Sequence, residues 1–514
     1  MSVGNLSERG ALMFEQYFAS LGKKEHISLS VYQAEKQIKA KLKSDDLMIR
    51  YVPKNSELLA LFYLPSITDT DLLQKKILPI LQSHLNETMD AETLVDHLPV
   101  TAVKPNSDLS MIASSLTQGW TYIHVHEQAC GLLIRLAKTE SRSLSRAETE
   151  GQIYGSQVGF IEDSDKNLSL LRHMLPTPDL QVETLMLGER SPCQVHILNL
   201  KDLCSQQNVN TVRQRIEDLQ VDTIIDSATL AQLIDDNSYS VFPPLLLTER
   251  PDRTVSSLLE GKLVLLVSGS PFVIIGPCNF FDFFRSTEDQ YLRWNMASFI
   301  RILRIFSLLI STLFTPAYVA ALTFHYAVIP AALLVSIAQS RSKVPFPPIF
   351  EALMLELILE LLKEAGARLP TKVGQTMSIV GGIVIGQAAV QAGFTSNILI
   401  MIVALGAIAS FTTPSYMMGN ALRLIRFPII ILAGLWGGIG IMAGICFLLL
   451  HLLKQRSLGA PYLYPVFPPR IIGMRNSLVR LPFSWFAKRA HFNRGNDSYK
   501  FNPPADKNKN KFDK

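Results

Sequence analysis

Three groups of side chains in this 514-residue chain have types and spacings that chemistry could use. The first is acidic. In Phe350–Gly366, FEALMLELILELLKEAG, the residues Glu356, Glu360 and Glu364 recur at every fourth position. At 100° per residue they fall within an arc of about 80°, opposite a Leu/Ile/Met surface, and Glu351 lies about 140° further off. Such carboxylates either line a water-filled path that favours cations or face solvent from a helix lying flat at a membrane surface. Both readings stay open. The second group is Glu249-Arg250-Pro251-Asp252-Arg253. Pro251 starts a helix, Asp252 suits its N-terminus, and Glu249, Arg250, Asp252 and Arg253 form a charged turn fit for a subdomain or subunit contact. The third is His124 and His126 in WTYIHVHEQ. Two imidazoles at i, i+2 can share a metal, but a wet strand face is the simpler reading, and no metal site is assigned. No phosphate-binding glycine loop, HExxH pair or nucleophile elbow is present, so neither an enzyme nor a cofactor is expected.

The elements that must hold these residues are set by where charge is missing. Residues 373–422 carry no Asp, Glu, Lys or Arg; residues 305–340 are uncharged apart from His325, and 427–453 apart from His451. Fifty residues of helix would span about 75 Å against a hydrocarbon core of about 30 Å. The block at 373–422 is therefore long enough to cross a bilayer twice, and an integral membrane protein follows. Pro316 in LISTLFTPAYVAAL and Pro414 in ASFTTPSY lie within or at the ends of spans. Each removes a backbone donor and favours a kink that a gate can use. Glycines four apart (Gly382/Gly386, Gly434/Gly438, Gly440/Gly444) read as tight helix packing. The start of the chain lacks the pattern of a cleaved signal peptide, so the large region before residue 290 is expected in the cytoplasm. From Lys454 onward there are 13 Lys+Arg against 3 Asp+Glu, a basic tail that belongs on the cytoplasmic side beside anionic lipid rather than on nucleic acid. The number of crossings is then even, four or six. In a six-span arrangement the basic residues at 341–343, 363–372 and 423–426 cannot all lie inside. Five scattered cysteines without CxxC spacing read as reduced thiols.

Before the spans, the chain reads as a duplication. Residues 41–81 and 174–216 share an apolar strand, a polar turn, a second strand and a helix. Ser107–Leu136 and Pro251–Pro277 share a helix ending near glycine, then two apolar strands. The expected organisation is an N-terminal extension (1–27), α/β subdomain 1 (28–140), a linker (141–164) and α/β subdomain 2 (165–290). A polytopic α-helical membrane domain (299–453) and a basic cytoplasmic tail (454–514) complete it.

Several stretches together resemble one family. They are Tyr239–Thr254, YSVFPPLLLTERPDRT; Leu258–Phe272, LLEGKLVLLVSGSPF; Phe324–Ser340, FHYAVIPAALLVSIAQS; and Val344–Pro370, VPFPPIFEALMLELILELLKEAGARLP. Val373–Ala392, Ile408–Tyr416 (IASFTTPSY) and Leu458–Tyr462 (LGAPY) follow in order. Over about residues 150–465 the chain resembles the A subunit of GerA-type nutrient germination receptors; residues 1–150 match more loosely. The resemblance implies a location in the inner membrane of the endospore. It also implies a transporter-like membrane B subunit and a lipoprotein C subunit as partners, self-association, and release of monovalent cations when a small nutrient binds. Two roles remain open for this chain: a ligand-gated cation-conducting pore, and a non-conducting scaffold that relays the signal.

Overall fold

The computed structural model describes residues 25–54, 57–83, 98, 100, 102–128, 130–138, 146–368, 382, 384 and 386–482. Most of the expected N-terminal extension, part of the long charge-free block and the end of the basic tail lie outside these residues.

The first sheet contains β1 (Met48–Lys54), β2 (Glu57–Tyr63), β3 (Val103–Asn106), β4 (Trp120–Val125) and β5 (Gly131–Arg135), all antiparallel, in the order β1-β2-β4-β5-β3. Strand β2 shows why the sequence alternates poorly here: both faces are covered, so it reads as an unbroken apolar run. Leu59, Leu61 and Tyr63 pack beneath the helical stretch 70–83. Ala60 and Phe62 pack beneath α1 (Val31–Leu42) and α2 (Leu109–Leu116). In α1 the buried residues Val31, Ala34, Ile38 and Leu42 follow the helical period.

The second sheet contains β6 (Leu180–Leu187), β7 (Cys193–Leu200), β8 (Leu246–Thr248), β9 (Leu263–Val267) and β10 (Val273–Gly276), again antiparallel, in the order β6-β7-β9-β10-β8. The two sheets thus share one strand order. Helices α3 (Ser164–Met174) and α6 (Pro251–Leu259) cover one face, and α4 (Gln206–Glu217) and α5 (Ser227–Leu233) cover the other. The sheets are joined by Arg172, 1 % exposed, whose guanidinium donates to both carboxylate oxygens of Asp46 at 2.7 and 2.9 Å and to Ser44 at 2.7 Å. Asp45 adds backbone bonds to β6.

Among the described residues the rest is mainly helical, with α7 (Trp294–Thr323), α8 (Ala331–Arg341), α9 (Pro348–Arg368), α10 (Asn397–Ser410) and α11 (Tyr416–Lys454). Two of these, α7 and α11, are long and apolar enough to cross a membrane. Helix α7 is polar inside and apolar outside: Ser307, Ser311, Thr312 and Thr315 are buried while Phe299, Phe306, Ile310 and Phe314 are exposed. That inversion suits hydrocarbon rather than water as the surrounding solvent. The helix continues through Pro316, which is buried.

Helix α11 is two helices. Gly437 has φ 60° and ψ −134°, a non-helical conformation essentially reserved for glycine. Around it the chain folds back. A side chain at Gly440 would collide with the Leu432 carbonyl, and one at Gly444 would touch Ile429. The arms 416–436 and 438–454 are thus antiparallel, roughly 31 and 25 Å long, and outward residues such as Ile439 and Phe447 are 75 % and 70 % exposed.

The second arm then leads back into the second sheet. Strands β11 (Arg456–Ser457) and β12 (Ala460–Pro461) form a hairpin whose turn residues Leu458 and Gly459 both have positive φ, as a two-residue hairpin turn requires. Leu458 enters the core on one face of the sheet and Tyr462 the core on the other, where Met418, Leu422, Ile425 and Leu452 of the helical hairpin also pack. Ser457 donates to the Pro244 carbonyl at 2.7 Å and accepts from Cys278 N–H, and Tyr462 donates to the Pro243 carbonyl at 2.9 Å.

Replacing Gly437 with alanine places a Cβ about 3 Å from Phe324 and forces a φ that costs on the order of 1–3 kcal/mol. We expect Gly437→Ala to lower the amount of protein recovered from membranes, read by immunoblot. Gly386→Ala, where no atom of the described residues lies within 4 Å of the added Cβ, is expected to leave that amount unchanged.

Candidate functional site

The acidic helix α9 begins at Pro348 after the stiff Val344-Pro345-Phe346-Pro347 stretch, with Glu351 in its first turn. It runs antiparallel to the first arm of α11. Ile349 lies against Gly434, Glu356 against Arg426, and Glu360 near Arg423. The four glutamates differ sharply in surroundings. Glu351 is fully buried; one carboxylate oxygen accepts from Arg341 at 3.0 Å and the other from the Ser396 N–H at 3.3 Å. Glu356, 5 % exposed, accepts from Arg426 at 2.6 Å and from the Thr315 hydroxyl at 3.0 Å. Glu360 is half-exposed, 3.8 Å from Arg423. Glu364 is open to solvent and pairs with Arg368 one turn on.

The stripe therefore grades from dry to wet along a single helix. Neither expectation for it anticipated this: the half nearer Pro348 carries intramolecular ion pairs. Arg423 and Arg426 were legible only as loop charges marking one side of the membrane. Their spacing of three places them on one helical face, which is the signal that a counter-ion helix was present. Lys363, on the wetter half, lies over the Phe411 ring at 4.9 Å.

The charged turn at 249–253 straps residues 146–157 to α6. Glu249 accepts from the Thr149 hydroxyl at 2.8 Å and from the Glu150 N–H at 2.8 Å. Arg250, fully buried, pairs with Asp252 at 2.8 Å and donates to the Glu150 and Ser156 carbonyls. Arg253 pairs with Glu150 at 2.9 Å and donates to the carbonyls of Asp282 and Arg285. Behind it Lys262 and Asp282 form a buried pair at 2.7 Å. Burial is the largest influence and lowers the lysine pKa, but Asp282, Cys278 and Glu260 together outweigh it and hold the group above its ordinary value. Asp289, fully buried, receives Arg301 and Arg304 of α7, each at 2.9 Å, and so fixes where the first long helix leaves the α/β region. Pro414 lies in the turn between α10 and α11, on the wall of a cavity of about 680 Å³ shared with the second sheet.

His124 and His126 do not form a wet face. His124 is fully buried against Tyr122, within 3.2 Å of its hydroxyl, and His126 accepts from the N–H of Val31 at the start of α1. Both faces of β4 are covered, which the alternation of polar and apolar residues concealed. Among the described residues no group of three or more His, Cys, Asp or Glu could hold a metal, and the five cysteines are free thiols.

Comparison with known proteins places the chain in a class. The sequence profile described as "Bacillus/Clostridium GerA spore germination protein" matches residues 35–492. Spore germination protein GerQA of Bacillus cereus is 43 % identical over 470 residues, covering 91 % of this chain and 94 % of that one. Spore germination protein KA of Bacillus subtilis is 38 % identical, with 86 % and 82 % covered, and spore germination protein A1 of the same organism is 36 % identical, with 86 % and 92 % covered. The crystal structure of the N-terminal domain of the A subunit of the Bacillus megaterium spore germinant receptor GerK3 aligns with half of this chain and 99 % of its own, at 24 % identity and a TM-score of 0.40. The chain belongs to the GerA family of spore germination proteins. Its role is accordingly in germination, in a non-enzymatic family.

Burial lowers the pKa of His124 and of His196, the latter buried between β7 and α3, below the ordinary 6.5. The unfolded chain then binds more protons than the folded one, so stability falls as pH drops below 6.5. The unfolding midpoint of the full chain in detergent is expected to fall between about pH 6.5 and 5, and His124→Gln with His196→Gln to flatten that slope.

Proposed function

We propose that this chain is the A subunit of a nutrient germinant receptor in the inner membrane of the spore, and that self-associated copies open a path for monovalent cations. A transporter-like B subunit and a lipoprotein C subunit complete the complex in this reading. The observation that carries it is the acidic helix. Glu360 and Glu364 are accessible to water on a bundle whose other outward residues are largely apolar, and carboxylates repeated around a ring of copies favour cations. Glu351 and Glu356 would join that lining only after parting from their arginines.

The crossings number six in this reading, with the α/β region and the tail both in the spore core. Residues 456–464 are packed into the second sheet, so the count between α7 and β11 is even. Helix α7, helix α9, helix α10 and the two arms of α11 supply five, and the even count requires one more. The shared strand order of the two sheets supports a duplicated pair of α/β subdomains at 28–140 and 165–290. Pro316 and Pro414 are candidate hinges for gating, and the turn at 249–253 a candidate coupling contact. The scaffold reading draws on the other half of the same helix: Glu351 and Glu356 are occupied by arginines of their own chain, as in a bundle built to hold shape.

Cation release from spores carrying Glu360→Gln or Glu364→Gln, with receptor abundance matched by blotting, separates the two. A slower or less selective nutrient-triggered release is expected if the helix lines the path. Unchanged release and selectivity would favour the scaffold.

A further inference from the structure

The Glu356–Arg426 pair occupies the point where four helices meet. Thr315 of α7 donates to the carboxylate, Arg426 of α11 pairs with it, and Gly406 of α10 lies over both, an added Cβ there being 3.8 Å from the Arg426 guanidinium and 3.9 Å from the Thr315 hydroxyl. A buried ion pair of this kind adds little net stability over a well-packed apolar pair, because the desolvation of two charges offsets their attraction. It is a poor glue. Its property is different: it holds while water is absent, and it loses strength when water arrives, since charge attraction falls steeply as the local dielectric constant rises. Water is close. One turn along, Glu360 is half-exposed and only loosely paired with Arg423, and a turn further Glu364 is open.

We propose that Arg426, backed by Arg423, positions the acidic helix in the resting receptor, and that the Glu356–Arg426 pair is a latch released when water advances one helical turn along α9. This assignment rests on the reading of the bundle as the moving part of a germination receptor, and not on which subunit conducts. Release frees α9 from α7 and α11 and turns a neutralised carboxylate into an available one.

The test uses spores carrying the full receptor with Arg426→Gln, Glu356→Gln, the double Gln/Gln variant, or Arg426→Lys, and reads monovalent-cation release without nutrient at matched receptor abundance. The double variant is decisive because it leaves no unpaired buried charge. It is expected to accumulate normally and to raise nutrient-free release by at least about tenfold, a shift of about 1.4 kcal/mol in the resting equilibrium. Arg426→Lys, which keeps the charge, is expected to stay close to the parent. A double variant as quiet as the parent overturns the latch. So does one that fails to accumulate, which would make the pair a folding requirement. Because whole-spore release is read, the outcome is the same whichever subunit conducts, whereas altered selectivity in Glu360→Gln or Glu364→Gln judges the pore reading separately.

Discussion

The chain leaves the α/β region through α7 and comes back to it after α11, and the return is buried. Leu458 and Tyr462 are driven into opposite faces of the second sheet, and the base of the helical hairpin shares the same apolar core. Removing two large apolar side chains from water stabilises on the order of 3–6 kcal/mol, and hydrogen bonds to the carbonyls of Pro243 and Pro244 fix the register. With Asp289 gripping α7 at the exit, the sheet is tied at both ends of the helical segment. A body held at two points cannot swivel about one bond, so motion between sheet and bundle has to pass through the helices themselves.

Within the bundle the governing constraint is the placement of charge. Each buried glutamate on α9 meets an arginine from another segment: Arg341 beside α9's start, Arg426 from the hairpin. Ordinary residues surround these pairs, and Thr315 and Ser396 complete the carboxylates' bonding. The first sheet stands further from this region, joined to the second through Arg172, Asp46 and the short bridge at Ser44. Its link is polar and narrow, whereas the second sheet's link to the helices is apolar and broad.

Much of this was legible in the sequence. The charge-free blocks located the long helices, the recurrence of helix, glycine and two strands located β4–β5 and β9–β10, and Pro251 correctly started α6. What escaped notice depends on contacts distant in the chain. Gly437 is one of several glycines in its segment, and nothing local marks it as the one with positive φ. Arg423 and Arg426 become interior residues only because Glu356 and Glu360 face them from about seventy residues away. His124 sits in an alternating strand that predicts one wet face, and only the helix packed over that face makes it dry.

The single-residue reversal at Gly437 has a consequence for the end of the bundle away from the second sheet. That end carries the tip of the hairpin, which has no loop at all, the segment between α7 and α9, and the turn before α10, where Phe394 stacks on Phe346. His325 there accepts from the Gly438 N–H at 3.1 Å, closing the tip against the end of α7. Beside it, Tyr326, Val328 and Leu333 are exposed apolar residues, while Ser342 and Lys343, nearer α9, are exposed and polar. With no loop of its own, the hairpin meets the end of α7 directly, and the two are coupled at that point.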